Sequence, residues 1–198
     1  MTEYPAIGVW RVLSSRVLFE NWFIRIIEEE IEHERLGRMA YYIAESPADA
    51  VAVVALTDDD DILLTRQYRH PLRRVIFDLP AGRLDPDEDP AEGALRELEE
   101  ETGYTAYRME RLGYMMPYPG SLRVATHVYL ARELRRLPQG QRLDPQEEVQ
   151  VVPRPFRQVL AEVVEGRYVD GALQYGVLMA AQRLGILARP NGREGDAG

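Results

Sequence analysis

The sequence contains neither cysteine nor lysine, and each absence removes a class of chemistry. Without cysteine, the chain can form neither disulfides nor thiolate metal sites. Its 24 basic residues are all arginine, so a lysine Schiff base and the lysine of a phosphate-binding P-loop are both excluded. There is also no Gly-x-Ser-x-Gly elbow and no Walker A sequence, which excludes the usual serine-hydrolase and P-loop arrangements.

Long apolar runs are absent as well. The longest, residues 50–56, has seven residues, far fewer than the roughly 20 that span a bilayer. The first five residues lack the basic start and apolar core of a secretory signal. We therefore expect a cytoplasmic protein with no membrane partner.

Basic charge is scarce relative to acidic charge, and the formal net charge is −9. Binding to a nucleic-acid backbone needs a basic face, so we predict no nucleic-acid partner. With 198 residues, of which 45% are hydrophobic, the chain has the size and composition of one globular domain with a sizeable core.

The acidic residues are concentrated in one segment. Between Asp78 and Glu101 there are ten Asp or Glu residues but only two basic residues, Arg83 and Arg96. Like charges at this density repel one another unless water or a cation compensates them. The segment is therefore either a solvated acidic surface or a divalent-cation site, and the spacing of its carboxylates has to distinguish the two.

Hydrophobic periodicity predicts more strands than helices. Two β-type runs, residues 51–56 and 62–68, flank a turn-prone acidic stretch and predict a hairpin. Further strands are predicted at residues 10–19, 22–32, 76–79, 124–131 and 149–152, a polar loop at 135–145, and helices at 156–165 and 172–187. Strands and helices do not alternate regularly, which favours an α+β layer fold over a doubly wound sheet.

The clearest predicted helix covers residues 90–102. Asp89 is a favourable N-cap and Pro90 suits the first helical position. Glu92 completes a capping-box pattern, and Gly103 is a typical C-terminal stop. The apolar residues follow the spacing of one core-facing stripe, namely Ala91, Ala94, Leu95 and Leu98.

Three glutamates lie together on this helix, away from its apolar stripe. At about 100° per residue, Glu97 and Glu101 are one turn apart on one face, with Glu100 beside them. Mg²⁺ prefers several carboxylate oxygens and keeps water ligands that a phosphate can replace. Arg96 lies one turn before Glu100 and can orient its carboxylate. The loop before the helix contains a glycine and a proline, which let its backbone bend and present the Ala81 carbonyl to the same cation.

The spacing of these residues resembles the Nudix box. Gly82 is followed by five residues and Glu88, then by seven residues and the sequence Arg96-Glu97-Leu98-Glu99-Glu100-Glu101-Thr102-Gly103-Tyr104. Both glycines, the arginine and the four glutamates of the motif are present. Only Tyr104 departs from the pattern, since an aliphatic residue is more usual there. Nine specified positions over 23 residues are a specific signal, and they favour the cation site over an acidic surface helix.

The resemblance implies a Nudix-type α/β/α sandwich with a mixed sheet, extended here by extra N-terminal strands. It also implies that Mg²⁺ (or Mn²⁺) is held by Glu97, Glu100, Glu101 and the carbonyl of Ala81, and that Arg96 is catalytic together with those glutamates. The metal would neutralise the pyrophosphate, position a water and stabilise the leaving phosphate.

Flanking residues resemble the ADP-ribose pyrophosphatase branch of the family. The resemblance lies in residues 64–69 and 78–82, and in Pro119, which follows Gly103 by 16 residues. The implied reaction is Mg²⁺-dependent hydrolysis of the pyrophosphate bond of ADP-ribose, or of a related nucleoside diphosphate sugar, to AMP and ribose 5-phosphate. The residues implied in substrate binding are Arg66, Arg69, Pro119 and Gly120. Arg69 would contact the diphosphate or the terminal ribose, and a plain surface arginine is the alternative.

Two further positions leave alternatives open. Glu147 aligns with the loop glutamate that activates or orients the attacking water in such enzymes, but Glu148 is a rival and a solvated loop pair is the plain alternative. After the Pro-Gly pair, relatives often carry an acidic pair where this sequence has Arg123 and Val124. Arg123 either meets a substrate phosphate or indicates another nucleotide sugar.

Two other functions remain possible at this point. The first is a Nudix hydrolase for GDP-mannose, dinucleoside polyphosphates or another nucleoside diphosphate derivative. The second is a non-catalytic ADP-ribose sensor. Such sensors usually lose box glutamates and add a DNA-binding domain, whereas here the box is intact and no basic helix-turn-helix segment is visible.

The chain is predicted to comprise N-terminal strands in residues 1–44, a Nudix hydrolase domain in residues 45–188 and a disordered tail in residues 189–198. Related dimers exchange N-terminal strands, so the resemblance implies a homodimer. Trp10, Trp22 and Phe23 either stack on adenine or, as we favour, pack in a core or interface.

Overall fold

The computed structural model describes residues 8–187, so the tail predicted at 189–198 lies outside the described residues. In chain order its elements are β1 (Arg11–Glu20), β2 (Arg25–His33), β3 (Gly37–Glu45), β4 (Ala50–Ala55), β5 (Asp61–Arg69), a 3₁₀ turn (His70–Leu72), β6 (Arg74–Asp78), β7 (Ala81–Arg83), α1 (Pro90–Thr102), β8 (Tyr104–Met115), β9 (Leu122–Arg123), β10 (Thr126–Arg136), β11 (Val149–Pro155), α2 (Phe156–Val164) and α3 (Gly171–Arg183). None of these helices is long and apolar enough to cross a membrane.

The chain divides into two compact units. The first contains the described residues from Gly8 to Pro47 together with Met116–Val124. It consists of one sheet in the order β1-β2-β3-β9, in which the first three strands are antiparallel and β9 runs parallel to β3. The strands predicted at residues 10–19 and 22–32 are confirmed as β1 and β2.

The second unit contains Ala48–Met115 and the residues from Ala125 onward. It holds two sheets, one in the order β7-β4-β10-β8 and one in the order β11-β5-β6. Within the first of these, β4 and β10 are parallel while β7 and β8 are antiparallel to their neighbours, so the sheet is mixed. The second sheet is antiparallel throughout.

Strand β4 lies at the centre of a three-layer sandwich, because both of its faces are buried. Alternate residues, Val51 and Val53, share a core with Ala94 and Leu98 of α1. The intervening residues, such as Val54, belong to a second core that also contains residues of α2 and α3. This arrangement confirms the predicted α+β fold, an α/β/α sandwich with a mixed sheet and additional N-terminal strands.

The hairpin predicted for residues 51–56 and 62–68 is wrong. The strands β4 and β5 belong to different sheets, and they meet only at the bridge between Leu56 and Ile62. Both edges of β4 are occupied by β7 and β10, which leaves β5 to pair with β6 and β11. Strand β8 was not predicted, because its 12 residues mix charged and apolar side chains without a clean alternation.

Candidate active site

The predicted helix α1 is confirmed, and its two ends are fixed by local contacts. The side chain of Asp89 accepts a hydrogen bond from the backbone N–H of Ala91 (2.8 Å). Gly103 ends the helix with a φ of 72°, and a Cβ at this position would lie 2.7 Å from the carbonyl carbon of Gly140. Glycine is therefore required both by the backbone conformation and by the close approach of the following loop.

Two glutamates of α1 lie against strand β7. One carboxylate oxygen of Glu101, Oε2, accepts a hydrogen bond from the backbone N–H of Ala81 (2.8 Å). The carboxylate of Glu97 covers Gly82 so closely that a Cβ at this glycine would overlap it. The glycine of the box thus makes room for one of its glutamates.

Arg96 connects the remaining glutamates of the box. Its Nε and Nη2 donate to the two carboxylate oxygens of Glu88 (2.8 and 2.9 Å). Its Nη1 donates to Glu97 Oε1 (2.8 Å) and to Glu100 Oε2 (3.1 Å), and Nη2 also reaches the carbonyl of Arg83 (2.9 Å). These bonds raise the pKa of Arg96 and lower that of Glu88, so the arginine remains cationic in the middle of the cluster.

Burial gives the cluster its unusual electrostatics. Glu101 is only 4% exposed, and burial raises its pKa to about 8 against the opposing hydrogen bond from Ala81. The like charges of Glu97 and Glu147 raise it further. Burial also raises the pKa of Glu97, and Glu100 and Glu147 add to that shift. Ionising all these groups together is therefore unfavourable without a cation.

Glu147 lies on the exposed loop between β10 and β11. Its N–H donates to the carbonyl of Asp144 (2.9 Å), and its Oε2 accepts from the N–H of Asp144 (3.2 Å), which closes a tight turn. Its charge acts on both Glu97 and Glu101. Glu147 therefore lies within electrostatic range of two box glutamates, while its own hydrogen bonds are to Asp144.

Arg69 is held near the same cluster by Asp78, which was not predicted as a site residue. Its Nε donates to Oδ2 of Asp78 (2.7 Å), a carboxylate that is 2% exposed. The charge of Arg69 lowers the pKa of Glu101, which indicates that the two are close. Arg66 lies on the opposite face of β5, where it donates to Gln150 Oε1 (2.8 Å), so the two arginines predicted to bind substrate are separated by the strand.

The structure places the other predicted substrate-binding residues in the first unit. Pro119 and Gly120 form a turn in which the carbonyl of Gly120 accepts a hydrogen bond from the hydroxyl of Tyr41. Arg123 forms ion pairs with Glu45 (2.9 Å) and Glu29 (3.9 Å). These acidic partners lie on β3 and β2 of the same sheet, and no sequence pattern predicted them.

Two of the three N-terminal aromatic residues are too exposed to belong to a hydrophobic core. Trp22 is 78% exposed and Phe23 is 54% exposed. Trp10 lies next to the buried His33, with 5.1 Å between the ring centroids. The core interpretation therefore fails for Trp22 and Phe23 within one chain, which leaves the interface and the adenine-stacking interpretations.

The donor set fits a hard divalent cation. Carboxylate oxygens are the ligands that Mg²⁺ and similar ions prefer. The positive charges of Arg96 and Arg69 act on the buried Glu97 and Glu101 respectively, but burial still raises the pKa of both carboxyls. Within residues 8–187, no three acidic or histidine side chains are already arranged as a complete cation cage. In this arrangement the guanidinium of Arg96 donates to oxygens of both Glu97 and Glu100.

Comparisons with known proteins identify the same family as the box motif. A model of the NUDIX domain matches residues 46–168. An ADP-ribose pyrophosphatase of Bacillus subtilis is 36% identical over 168 residues, which cover 84% of this chain and 90% of the relative. A methanol dehydrogenase activator of Bacillus methanolicus is 33% identical over 86% of this chain and 94% of its own length.

The fold has a solved counterpart. A crystal structure of an ADP compounds hydrolase superimposes with a TM-score of 0.78, covering 93% of this chain and all of the other, at 21% identity. Nudix hydrolases generally use divalent metal ions, in keeping with the carboxylate cluster. Since the family model spans more than half of the chain and the Bacillus subtilis relative matches most of both sequences, the chain belongs to the Nudix hydrolase family.

Proposed function

We propose that this Nudix hydrolase cleaves the pyrophosphate bond of ADP-ribose, or of a closely related nucleoside diphosphate sugar, with Mg²⁺ (or Mn²⁺), giving AMP and ribose 5-phosphate. One observation carries the chemistry: three glutamates of α1 are held together, Glu97 and Glu100 by the guanidinium of Arg96 and the buried Glu101 by the N–H of Ala81. The substrate class is supported by the likeness to the Bacillus subtilis ADP-ribose pyrophosphatase.

Glu97, Glu100, Glu101 and the carbonyl of Ala81 would hold the divalent cation. When bound, such a cation neutralises charge on the pyrophosphate and lowers the pKa of a water molecule. The N–H of Ala81 keeps the Glu101 carboxylate turned towards β7. Arg96 holds Glu97 and Glu100 side by side and in turn is held by Glu88, so that the carboxylates are oriented before substrate binds.

Glu147 would accept the proton of the attacking water. Its carboxylate is exposed on a loop and therefore accessible to solvent and substrate. The electrostatic effect of Glu147 on Glu97 and Glu101 supports this role for Glu147. Arg69, anchored by Asp78, would offer its guanidinium to the diphosphate or to the terminal ribose.

We further propose that the protein is a cytoplasmic homodimer. The strands of residues 1–44 would serve dimerisation, and residues 45–188 would form the hydrolase domain. The residues proposed to contribute to the substrate site are Arg66, Pro119, Gly120 and Arg123. The support is the exposed apolar side chains of β1, among them Val12 (54%) and Phe19 (53%). Light scattering coupled to size-exclusion chromatography tests this, with twice the mass of 22.7 kDa expected.

The proposed reaction is tested with a substrate panel. Purified protein is incubated with Mg²⁺, with Mn²⁺ or with a chelator, and with ADP-ribose, GDP-mannose, diadenosine polyphosphates or NADH. Products are identified by chromatography. We expect the highest kcat/KM for ADP-ribose, equal amounts of AMP and ribose 5-phosphate, and no turnover with the chelator.

The other outcomes identify the alternatives. If another substrate has the highest kcat/KM, the assignment to the ADP-ribose branch is wrong but the hydrolase assignment stands. If nothing is cleaved with either metal while ADP-ribose still binds, the chain is a sensor. The relative named as a methanol dehydrogenase activator makes a regulatory role the second candidate.

A further inference from the structure

The loop between β10 and β11, residues 137–148, is attached to the C-terminal end of α1. The N–H of Leu137 donates to the carbonyl of Gly103 (2.8 Å), and the N–H of Arg142 donates to the carbonyl of Glu100 (2.9 Å). The last carbonyls of a helix have no partner within the helix, so they are available to donors from the loop. The loop that carries Glu147 is therefore bonded to the helix that carries the carboxylate cluster.

One side chain of this loop, Gln141, spans the segment that contains Glu147. Its Nε2 donates to the carbonyl of Glu101 (2.6 Å) and to the carbonyl of Val149 (3.1 Å). A primary amide nitrogen carries two hydrogens, so one atom makes both bonds. The first bond reaches the most buried glutamate of the cluster, and the second reaches the first residue of β11, two positions after Glu147.

We propose that Gln141 is a positioning residue that holds Glu147 in front of the carboxylate cluster. This inference rests on the proposed function, because it acts through the role of Glu147 towards water. The turn from Asp144 to Glu147 fixes the glutamate within its loop, whereas the Gln141 bridge fixes the loop relative to α1 and β11. An ionised glutamate at position 141 could not donate to either carbonyl, and a methionine would fill the same space without donating.

The test compares Gln141→Met and Gln141→Glu with the control Gln146→Met, an exposed glutamine of the same loop. We expect both Gln141 variants to lower kcat by about 10- to 100-fold, as misplacement of a reacting group by about 1 Å does, with KM changed by less than about threefold. The control should retain the wild-type kcat. An unchanged kcat in both Gln141 variants would overturn the inference.

A double-mutant cycle separates positioning from a general loss of structure. If Gln141 acts through Glu147, then Gln141→Met should lower kcat by less than about twofold in a Glu147→Gln background. The same loss in both backgrounds would mean that Gln141 only supports the fold, and the inference would be wrong.

The outcomes also distinguish this inference from the proposed function on which it rests. A wild-type protein that cleaves none of the panel substrates overturns both. An active wild-type protein with additive effects of the two substitutions overturns the role of Gln141 alone.

Discussion

Two segments of this chain each carry four glutamates within five residues, one in strand β2 and one in helix α1. In β2 the two-residue period places Glu28, Glu30 and Glu32 on one face. Arginines of the neighbouring strands lie beside them: Arg16 is 2.7 Å from Glu28, and Arg38 is 2.8 Å from Glu32. Hydrogen bonds from Arg38 and Arg11 lower the pKa of Glu32.

In α1 the helical period brings Glu97 and Glu101 onto a face that is buried against β7. Arg96 is the only basic residue in this stretch of helix, and burial raises the pKa of both glutamates. The comparison shows that the density of acidic residues does not identify a functional site. The two segments differ instead in burial and in the number of cationic partners, because carboxylates removed from water without equal positive charge resist ionisation.

The largest effect is expected from Glu101→Gln. The amide keeps the shape of the side chain but removes the charge that would bind the cation, so kcat/KM should fall by at least about 100-fold. The fold should remain intact, as circular dichroism would show. Glu30→Gln in β2 is the matched control and should retain full activity. Near-normal activity of Glu101→Gln with Mg²⁺ would remove the functional distinction between the two segments.

Gly82→Ala tests whether close packing against β7 distinguishes the α1 cluster. The added Cβ would overlap the Glu97 carboxylate, which is the movable end of a side chain, so Glu97 must turn away while the fold persists. We expect a loss of kcat of about 10-fold or more, with little change in stability. At Gly171, a Cβ would meet only Met115 Cε at 3.5 Å, so Gly171→Ala should be neutral in both measurements. Equal activity of the two variants would contradict this packing argument.

The pH dependence of stability should have opposite signs in the two segments. The pKa of Glu101 is raised to about 8 in the fold, so its stabilising contribution is complete below its unfolded value of about 4.3 and is lost as the pH rises through about 8. Urea unfolding of metal-free protein should therefore show a loss of stability of up to a few kcal/mol over this range. The loss should be absent in Glu101→Gln. If wild type and variant have parallel pH profiles, the carboxyl is not destabilised by burial.

The smallest effect is expected from Glu32→Gln in β2. Because the pKa of Glu32 is lowered, its contribution is present above the unfolded pKa and disappears as the pH falls through the folded one. Exposed ion pairs contribute little, so at pH 7 the variant should be only slightly less stable than wild type, with unchanged kcat. High salt should reduce even this difference. A large loss of stability would mean that the β2 pairs are as important as the α1 cluster.

Much of the site could be predicted because it is encoded locally. Helix α1 is specified by a capping aspartate, a first-turn proline and a terminal glycine, all within 15 residues. The 3.6-residue period then decides which glutamates share a face. The box spacing predicts that the Ala81-Gly82 backbone lies next to those glutamates. The hydrogen bond from the N–H of Ala81 to Glu101 agrees with this prediction.

Other features could not be predicted because they depend on partners distant in sequence. Residues 51–56 and 62–68 have the pattern of a hairpin, but β4 pairs instead with β7 and with β10, whose Thr126 lies opposite Ala50, 76 positions earlier. Arg123 is neutralised by Glu45, 78 residues before it. Gln141 has no motif of its own, and only the folded loop brings its amide to two carbonyls.

The sequence by itself determined the family, because the box motif has a specific spacing. It also determined helix α1 and the residues that share a face of it, because caps and periodicity act over a few residues. Only the tertiary structure decided which carboxylates are removed from water, that Arg96 binds Glu88, Glu97 and Glu100 together, and that the charge of Glu147 acts on Glu97 and Glu101. Those properties arise from desolvation and from charges brought together by packing, and neither can be read from the order of residues along the chain.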